Sequence, residues 1–591
     1  MRTQPPRVRL SVIVGLIVLG LAPPRAAPAE SPATIQQTDL REWLGYIASD
    51  ELEGRQVFTE GLGLAAGYIA EHLAAWNVNP AGEDGTYFQT VRVLGVRTMS
   101  KASVMVEVNG QMRLFKDGEG IVFPKKMGGR QTIASDRIQF VGYGLQMPAA
   151  GEDDYADVDP AGKIVIFLGP GQKTLPPGSF RLVNARSRSA LGKGAVATIG
   201  PVSTGISRRG GGAGAPPAPI DPGAFRSDDS AAVPSVAAAR AVSSTDNGDF
   251  TTVERYDTQI PPAVTATDEF FEFLFSGSDV KYPELKEKIS RGEPLPAFAL
   301  RGVRITLNVE ADYTVVRTRL TRNVVGTIAG TDAKLRDTYV AFGAHYDHIG
   351  YSEGPGPGRS VATSGTSCPG QARDTPRPGD NINNGADDDG SGTVGLMALA
   401  KAFAQGPKPR RSLLFVWHSG EEAGLYGSRY YADYPIVPLD RTMAQLNIDM
   451  IGRNRCDDPG QEDTVYLVGS DRISTELHNV NEDANASLPN PLTLNYEMND
   501  PADPESIYTR SDHYSYASKG VPIIFYTTGL HRDYHYVTDE VSKIDFPKLA
   551  RITQLVFTTG MRLGNLDHVP VRDNKGPRKG KGTGGKIGIR D

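Results

Sequence analysis

The sequence predicts an α/β protein, a sheet with helices on both faces, interrupted by a second and mainly β unit. Three observations lead there. From about Arg319 onward, short apolar runs alternate with amphipathic ones, as strands do with helices. From about Val91 to Asn308 the texture differs, with short β-like runs broken by Gly and Pro. The chain has 591 residues, too many for one ordinary core, so two or three domains are expected.

The elements follow in chain order. Residues 1–29 place Arg2, Arg7 and Arg9 ahead of the apolar run "LSVIVGLIVLGLA", Leu10 to Ala22, and Ala27-Pro28-Ala29 fits a small-x-small cleavage site. This predicts a secretory signal peptide, with export to the periplasm or the extracellular medium and no stable membrane anchor. A membrane anchor is the other reading, but the run is shorter than the roughly 20 residues that a span needs. Residues 30–90 read as a helical start. In "TDLREWLGYIASDELEGR" Leu40, Leu44 and Ile47 recur at helical spacing behind a Thr38 or Asp39 cap. A second helix runs from about Leu62 to Trp76. Residues 91–308 form the inserted unit, with "RIQFVGYG" and "KIVIFLG" as strands and Ser207–Gly223 as a low-complexity loop. In residues 309–565 "TYVAFGAH", "SLLFVWH", "MAQLNIDM" and "VPIIFYTT" read as strands and "SGTVGLMALAKAFA" as a helix. Residues 566–591 are a basic, Gly-rich tail, either solvated disorder or an arm for an acidic surface.

Composition narrows the function classes. Hydrophobic content of 39% and charged content of 22% describe a soluble globular protein. A net charge of −6, with no dense basic face, argues against a nucleic-acid partner. The two cysteines, Cys368 and Cys456, form one disulfide in an oxidising compartment or remain two free thiols.

Chemistry-bearing residues gather at the ends of the later strands. "GAHYDHIG" offers His345 and Asp347, "NNGADDDGSG" offers Asp387, Asp388 and Asp389, "WHSGEEAG" offers Glu421 and Glu422, "NIDMIG" offers Asp449, and "TTGLHRDYH" offers His531 and His535. In an open α/β sheet the carboxyl ends of the strands face one crevice, where ligands bind. One His or Asp at a strand end is usually satisfied locally. Five clusters on one rim are harder to explain so, because carboxylates crowded in a cleft repel and draw protons or cations. Imidazole and carboxylate without thiolate suit zinc, with manganese or cobalt as substitutes.

The motifs "HYDH", "GADDDGSG", "SGEEAGLYGS", "NIDMIG" and "DYH", in this order, resemble those of the secreted co-catalytic zinc aminopeptidases. That metallopeptidase family also contains glutamate carboxypeptidase and glutaminyl cyclase relatives. The likeness covers roughly residues 39–80 and 319–564. It implies a mixed central sheet of the zinc-peptidase type. The segment "QFVGYGLQ…DYADVDPAGKIVIFLGPG" looks like the protease-associated domain often inserted in such enzymes. By position, the resemblance implies that His345 and Asp449 hold one zinc, that Glu422 and His535 hold the other, and that Asp388 bridges them. The run of three aspartates leaves the bridging position open by one residue. Asp347 is implied to orient His345. Glu421 is implied to be the general base that takes the proton from the attacking water, so the two adjacent glutamates have different jobs. Tyr534 matches a tyrosine that hydrogen-bonds the tetrahedral oxyanion in some relatives, and is otherwise a packing residue. No family role falls on His348, His418 or His531. In "SDHYSYASKGVP" Asp512 and His513 could line the pocket, or Ser511 or Asp512 caps a helix.

The implied function is a metallo-aminopeptidase acting with two Zn2+ ions on peptides that have a free N-terminus. A carboxypeptidase needs a basic pocket, and none is identifiable in the sequence. A glutaminyl cyclase of this type works with one zinc, against five ligand positions here. A non-catalytic receptor-like relative is opposed by the complete ligand set and base. Between His348 and Asn381 lies a long Gly/Pro-rich insert containing Cys368, and Cys456 follows Asp449 closely. A Cys368–Cys456 disulfide stapling this insert beside the site is therefore expected.

Overall fold

The computed structural model describes residues 35–147, 152–172, 180–202, 248–352, 368, 374–501, 503 and 505–574. The expected signal peptide, the Ser207–Gly223 loop and most of the basic tail lie outside the described residues. Among the described residues no helix is long and apolar enough to cross a membrane.

Helix α1 (Gln37–Ile47) buries Leu40, Trp43, Leu44 and Ile47, the predicted stripe plus Trp43. Neither Thr38 nor Asp39 caps it. The helix starts earlier, with Gln36 at the cap position and no side-chain cap bond. Asp39 lies in the first turn, where the helix dipole favours an acid, and pairs with Lys401. Helix α2 (Glu60–Ala75) buries Leu62, Ile69 and Leu73.

A ten-stranded mixed sheet forms the centre. Its main strands in chain order are β1 (Phe88–Ser100), β2 (Phe250–Thr252), β3 (Ala311–Ile328), β4 (Tyr339–His345), β5 (Ser412–His418), β6 (Thr442–Ile448), β7 (Thr464–Val468), β8 (Thr493–Asn495) and β9 (Ile523–Thr527). They lie in the order β2-β1-β3-β5-β4-β6-β9-β7-β8. The neighbours β5, β4, β6 and β9 are parallel, so their carboxyl ends share one rim. Helix α3 (Gly392–Gln405) connects β4 to β5 and α4 (Tyr426–Asp433) connects β5 to β6, the crossovers that parallel pairing requires.

Alternate side chains of these strands enter different cores. Val340, Phe342, Ala344, Leu413, Phe415 and Trp417 pack with α1, α2, α3, α5 (Thr475–Ala486) and α6 (Phe546–Gly564). Ala341, Leu414 and Val416 pack on the other face with Tyr431 of α4 and with Tyr516 and Ala517. Helices thus cover both faces. That is why "SLLFVWH" is buried at every residue and reads as an unbroken apolar run rather than an alternating one.

Between β1 and β3 the chain builds a four-stranded and a six-stranded sheet around one core, which includes Val104, Phe140, Ile166, Phe271 and Ile305. Strands β1 and β3 pair from Phe88↔Val324 to Ser100↔Ala311, so residues 91–100 belong to the large sheet rather than to the insertion. An alternating strand announces one covered face but not which sheet it joins.

The insertion also returns to the large sheet. Strand β2 pairs with β1, and just beyond it Glu254 is gripped by Lys126 and by Arg429 of α4. Burial alone would raise the Glu254 carboxyl, but Arg429 and Lys126 outweigh it and hold it at about 2. Its folded pKa is therefore below its ordinary 4.5, so the tie contributes stability above that value and loses it as pH falls toward about 2. Glu254→Gln is expected to cost about 2 kcal/mol or more at pH 7, since it leaves buried cations unpaired. The difference in unfolding midpoint from wild type should narrow steadily below pH 4.5. A difference that does not change with pH would show that the ion pair is not its source.

Candidate metal centre

The four parallel strands deliver their loops to one place. His345 ends β4, and its Nε2 lies 3.4 Å from Asp388 Oδ1 and 3.6 Å from Asp449 Oδ2. Across Asp388, His535 Nε2 lies 3.1 Å from Asp388 Oδ2 and 3.0 Å from Glu422 Oε2. Asp388 therefore gives one oxygen to each side. His345, Asp388 and Asp449 form one set of donor atoms within 4.8 Å of one another, and His348, Asp388 and Glu422 form a second. All five sequence-predicted ligand positions converge, and Asp388 is the aspartate between the two sets.

Its neighbours in the triplet are committed elsewhere. Asp389 accepts the backbone N–H groups of Gly392 at 2.9 Å, Met450 at 3.2 Å and His345 at 3.2 Å. Asp387 accepts Gly452 N–H at 2.7 Å and faces His531 Nε2 at 3.5 Å. Asp539 accepts the N–H groups of both Asp387 and Asp388, which fixes the backbone that carries the shared carboxylate.

His348 is the residue sequence reasoning passed over. Its Nδ1 lies 2.8 Å from Glu422 Oε1 and 3.8 Å from Asp388 Oδ2. Gly385 makes room for it: with φ +56°, a Cβ there would sit 2.5 Å from the His348 ring. A glycine ahead of "ADDDG" was the available signal, but only the fold shows what it faces.

Asp347 governs the glutamate loop. Its Oδ1 accepts Gly420 N–H at 2.7 Å and Glu421 N–H at 3.1 Å, and its Oδ2 accepts Glu422 N–H at 3.4 Å. The same carboxylate is 3.7 Å from His345 Nδ1, beyond hydrogen-bond reach, and the Asp347 carbonyl is nearer at 3.1 Å. The expected helix caps are replaced by contacts to the site. Ser511 Oγ donates to Asp449 Oδ2 at 2.7 Å, while Asp512 makes no side-chain cap bond and faces His418 Nδ1 at 3.4 Å. Tyr534 stacks on the His535 ring with centroids 3.9 Å apart, and its hydroxyl accepts from Arg510 at 3.2 Å.

The donor set fits a metal. His345 Nε2, His348 Nδ1, Asp388 Oδ2, Glu422 Oε1 and His535 Nε2 are buried without a hydrogen-bond partner, although such atoms are normally paired. Buried donors this close yet unbonded to one another are arranged as ligands around a shared cation are. The charges agree. Burial works against a protonated His535, yet Glu422 and Asp388 raise it to about 10. Burial likewise opposes ionised Glu422, but His535 and His348 help to hold it at about 2. Such a site attracts positive charge strongly, and a divalent ion would displace the histidine protons.

Residues 323–560 match peptidase family M28. Over 148 residues the chain is 31% identical to leupeptin-inactivating enzyme 1 of Streptomyces exfoliatus, a match covering 24% of this chain and 30% of that protein. Over 250 residues it is 27% identical to aminopeptidase Y of Saccharomyces cerevisiae, covering 40% of this chain and 37% of that protein. Each match thus spans well under half of the curated relative. The solved aminopeptidase from Aneurinibacillus sp. strain AM-1 aligns with a TM-score of 0.41 and 16% identity, over 93% of this chain and 98% of that chain.

Cys368 and Cys456 are joined, with their Cα atoms 5.2 Å apart at a sequence separation of 88. Cys456 N–H donates to Leu530 O at 3.0 Å, so the bridge abuts the loop that leads to His531 and His535. Most of the insert around Cys368 lies outside the described residues. A non-reduced proteolytic digest should contain one peptide pair linked through Cys368 and Cys456, and two free thiols in oxidised protein would refute the bridge. His348→Ala should weaken zinc binding about 10–100-fold in competition with a chromogenic chelator. Unchanged affinity would remove His348 from the donor set.

Proposed function

We propose that this chain is an exported zinc aminopeptidase that removes N-terminal residues from peptides with a free amine. The observation that carries the reading is the pair of donor sets sharing Asp388, with Glu421 buried beside them. His345 and Asp449 would hold one zinc, Glu422 and His535 the other with His348 alongside, and Asp388 would serve both. Two zinc ions there would supply Lewis-acid polarisation of the scissile carbonyl and acidify the attacking water.

The rest is the work of the chain. Burial pushes the Glu421 carboxyl well above its ordinary range, against the pull of His345 and with Glu422 and Asp449 adding to the rise. A carboxylate so placed takes a proton from water and gives it to the leaving amine. Asp347 holds Glu421 in place through its backbone N–H. Tyr534, steadied by His535 and Arg510, donates its hydroxyl toward the developing oxyanion. The inserted unit is read as a protease-associated domain on the strength of its sequence resemblance, and the first 29 residues as the export signal.

A carboxypeptidase has one observation in its favour, since Arg510 stands beside Tyr534 and could meet a substrate carboxylate. Arg510 is already paired with Glu505 at 3.0 Å, which leaves the aminopeptidase reading ahead.

Mature protein should cleave aminoacyl-p-nitroanilides, lose that activity to a chelator and regain it with zinc. Glu421→Gln should lower kcat about 10²–10⁴-fold with zinc content unchanged. If zinc binds but no free-amine substrate is cleaved, the reading fails. Cleavage of N-blocked peptides or cyclisation of N-terminal glutaminyl peptides would then identify the alternatives.

A further inference from the structure

Arg55, in the "DELEGR" segment after α1, has no part in the chemistry described above. Its side chain is fully buried, and all four of its described hydrogen bonds go to backbone carbonyls. Nε donates to Tyr346 O at 3.0 Å, Nη1 donates to Asn384 O at 2.7 Å and also to Ile47 O, and Nη2 donates to Gly385 O at 2.9 Å. Its own carbonyl accepts His348 N–H at 3.2 Å, and the adjacent Gln56 bridges to His348 as well. Among the described residues it forms no ion pair.

The acceptors are not scattered. Tyr346 is the residue between His345 and Asp347. Asn384 and Gly385 immediately precede Ala386 and the aspartate triplet. Ile47 ends α1, which is packed into the main core. One guanidinium therefore ties the "HYDH" loop and the "GADDDG" loop to each other and to the end of α1. Holding it there requires unfavourable backbone at Glu53 and Arg55, whose φ values of 50° and 49° are left-handed on either side of Gly54. Such runs persist only where the surroundings over-determine them.

Charge points the same way. Burial depresses Arg55 to about 10, with Asp347, Asp388, Asp389 and Asp539 opposing the fall, so it remains a cation at neutral pH. It is a fixed positive charge among these carboxylates, as Arg453 is beside Asp533 and Asp539. A lysine could supply the charge but not the planar fork that reaches acceptors in several directions at once.

We propose that Arg55 is a positioning residue for the metal centre, which pre-sets the spacing of the His345–His348 and Asp387–Asp389 loops before any metal arrives. The proposal rests on the reading of the site as a zinc centre. Metal ligation tolerates only a few tenths of an ångström, so a loop that drifts when the fork is lost costs affinity directly.

The test is zinc binding to chelator-stripped full-length protein, by competition with a chromogenic chelator, together with the rise in unfolding temperature that zinc produces. Wild type should bind tightly. Arg55→Lys should bind about 10–100-fold more weakly, and zinc should raise its unfolding temperature by less. A purely structural arginine would lower the stability of the stripped and loaded forms alike and leave zinc affinity unchanged, and that result overturns the proposal. If wild type itself binds no zinc, the metal-centre reading falls and the proposal with it, an outcome distinct from the first. If stripped Arg55→Lys does not fold, hydrogen exchange in stripped wild type decides. Protection at residues 346–348 and 386–388 before zinc is added supports pre-setting. Fast exchange that only zinc suppresses refutes it.

Discussion

Like charges forced together at the carboxyl ends of β4, β5, β6 and β9 are the constraint around which the rest of this fold is arranged. Two carboxylates about 4 Å apart repel by about 4 kcal/mol at the effective dielectric of a protein surface, and desolvation adds to that. Each acid on the rim is therefore assigned an answer. Asp347, Asp387 and Asp389 are answered by backbone N–H groups. Asp533 and Asp539 are answered by Arg453. Asp388, Glu422 and Asp449 face the imidazoles of His345, His348 and His535. The first two groups hold the loops that carry the last, and Asp347 also holds the backbone of Glu421, the proposed base.

The sheet explains why this crowding falls where it does. Parallel pairing aligns strand ends that are distant in sequence, and helices on both faces leave the rim as the place where polar groups can gather. The inserted unit grips this assembly from the side. Glu254 joins it to α4, the helix that directly follows the Glu421–Glu422 loop, and Arg429 Nη1 reaches Gly424 O within that loop at 3.4 Å. A long insertion thereby meets the backbone next to the proposed base.

Much of this could be read in the sequence because the informative residues sit at strand ends, where an unbroken apolar run stops and an acid or histidine begins. The strands and the five residues that converge at the rim were visible in that way, and both opening helices by their apolar spacing. What stayed hidden depends on direction rather than order. The spacing of "HYDH" cannot say that the second histidine turns toward Glu422, since that follows from a glycine on another loop. Ser511 looked like a cap because serine before a short helix usually is one, yet Asp449 draws its hydroxyl away. Arg55 carried no signal at all, because its partners are backbone carbonyls and a carbonyl has no side chain to leave a mark. The β1 strand was given to the insertion because alternation reports a covered face but not the sheet that covers it.

The glycines of the site bear on how this sequence can change over time. At Gly385 the space for a side chain is taken by the His348 ring and the Asp388 carbonyl, and at Gly392 by the Asp389 carboxylate, 2.2 Å from where a Cβ would stand. Neither glycine has a side chain to offer, and each contributes only backbone contacts, Gly385 O to Arg55 and Gly392 N–H to Asp389. An added atom at Gly385 would displace His348, and one at Gly392 would displace Asp389, which holds the backbone of His345 and Met450. The "HYDH" and "GADDDGSG" segments are thus fitted to each other at Gly385, where the room for one loop's side chain is filled by the other loop's histidine.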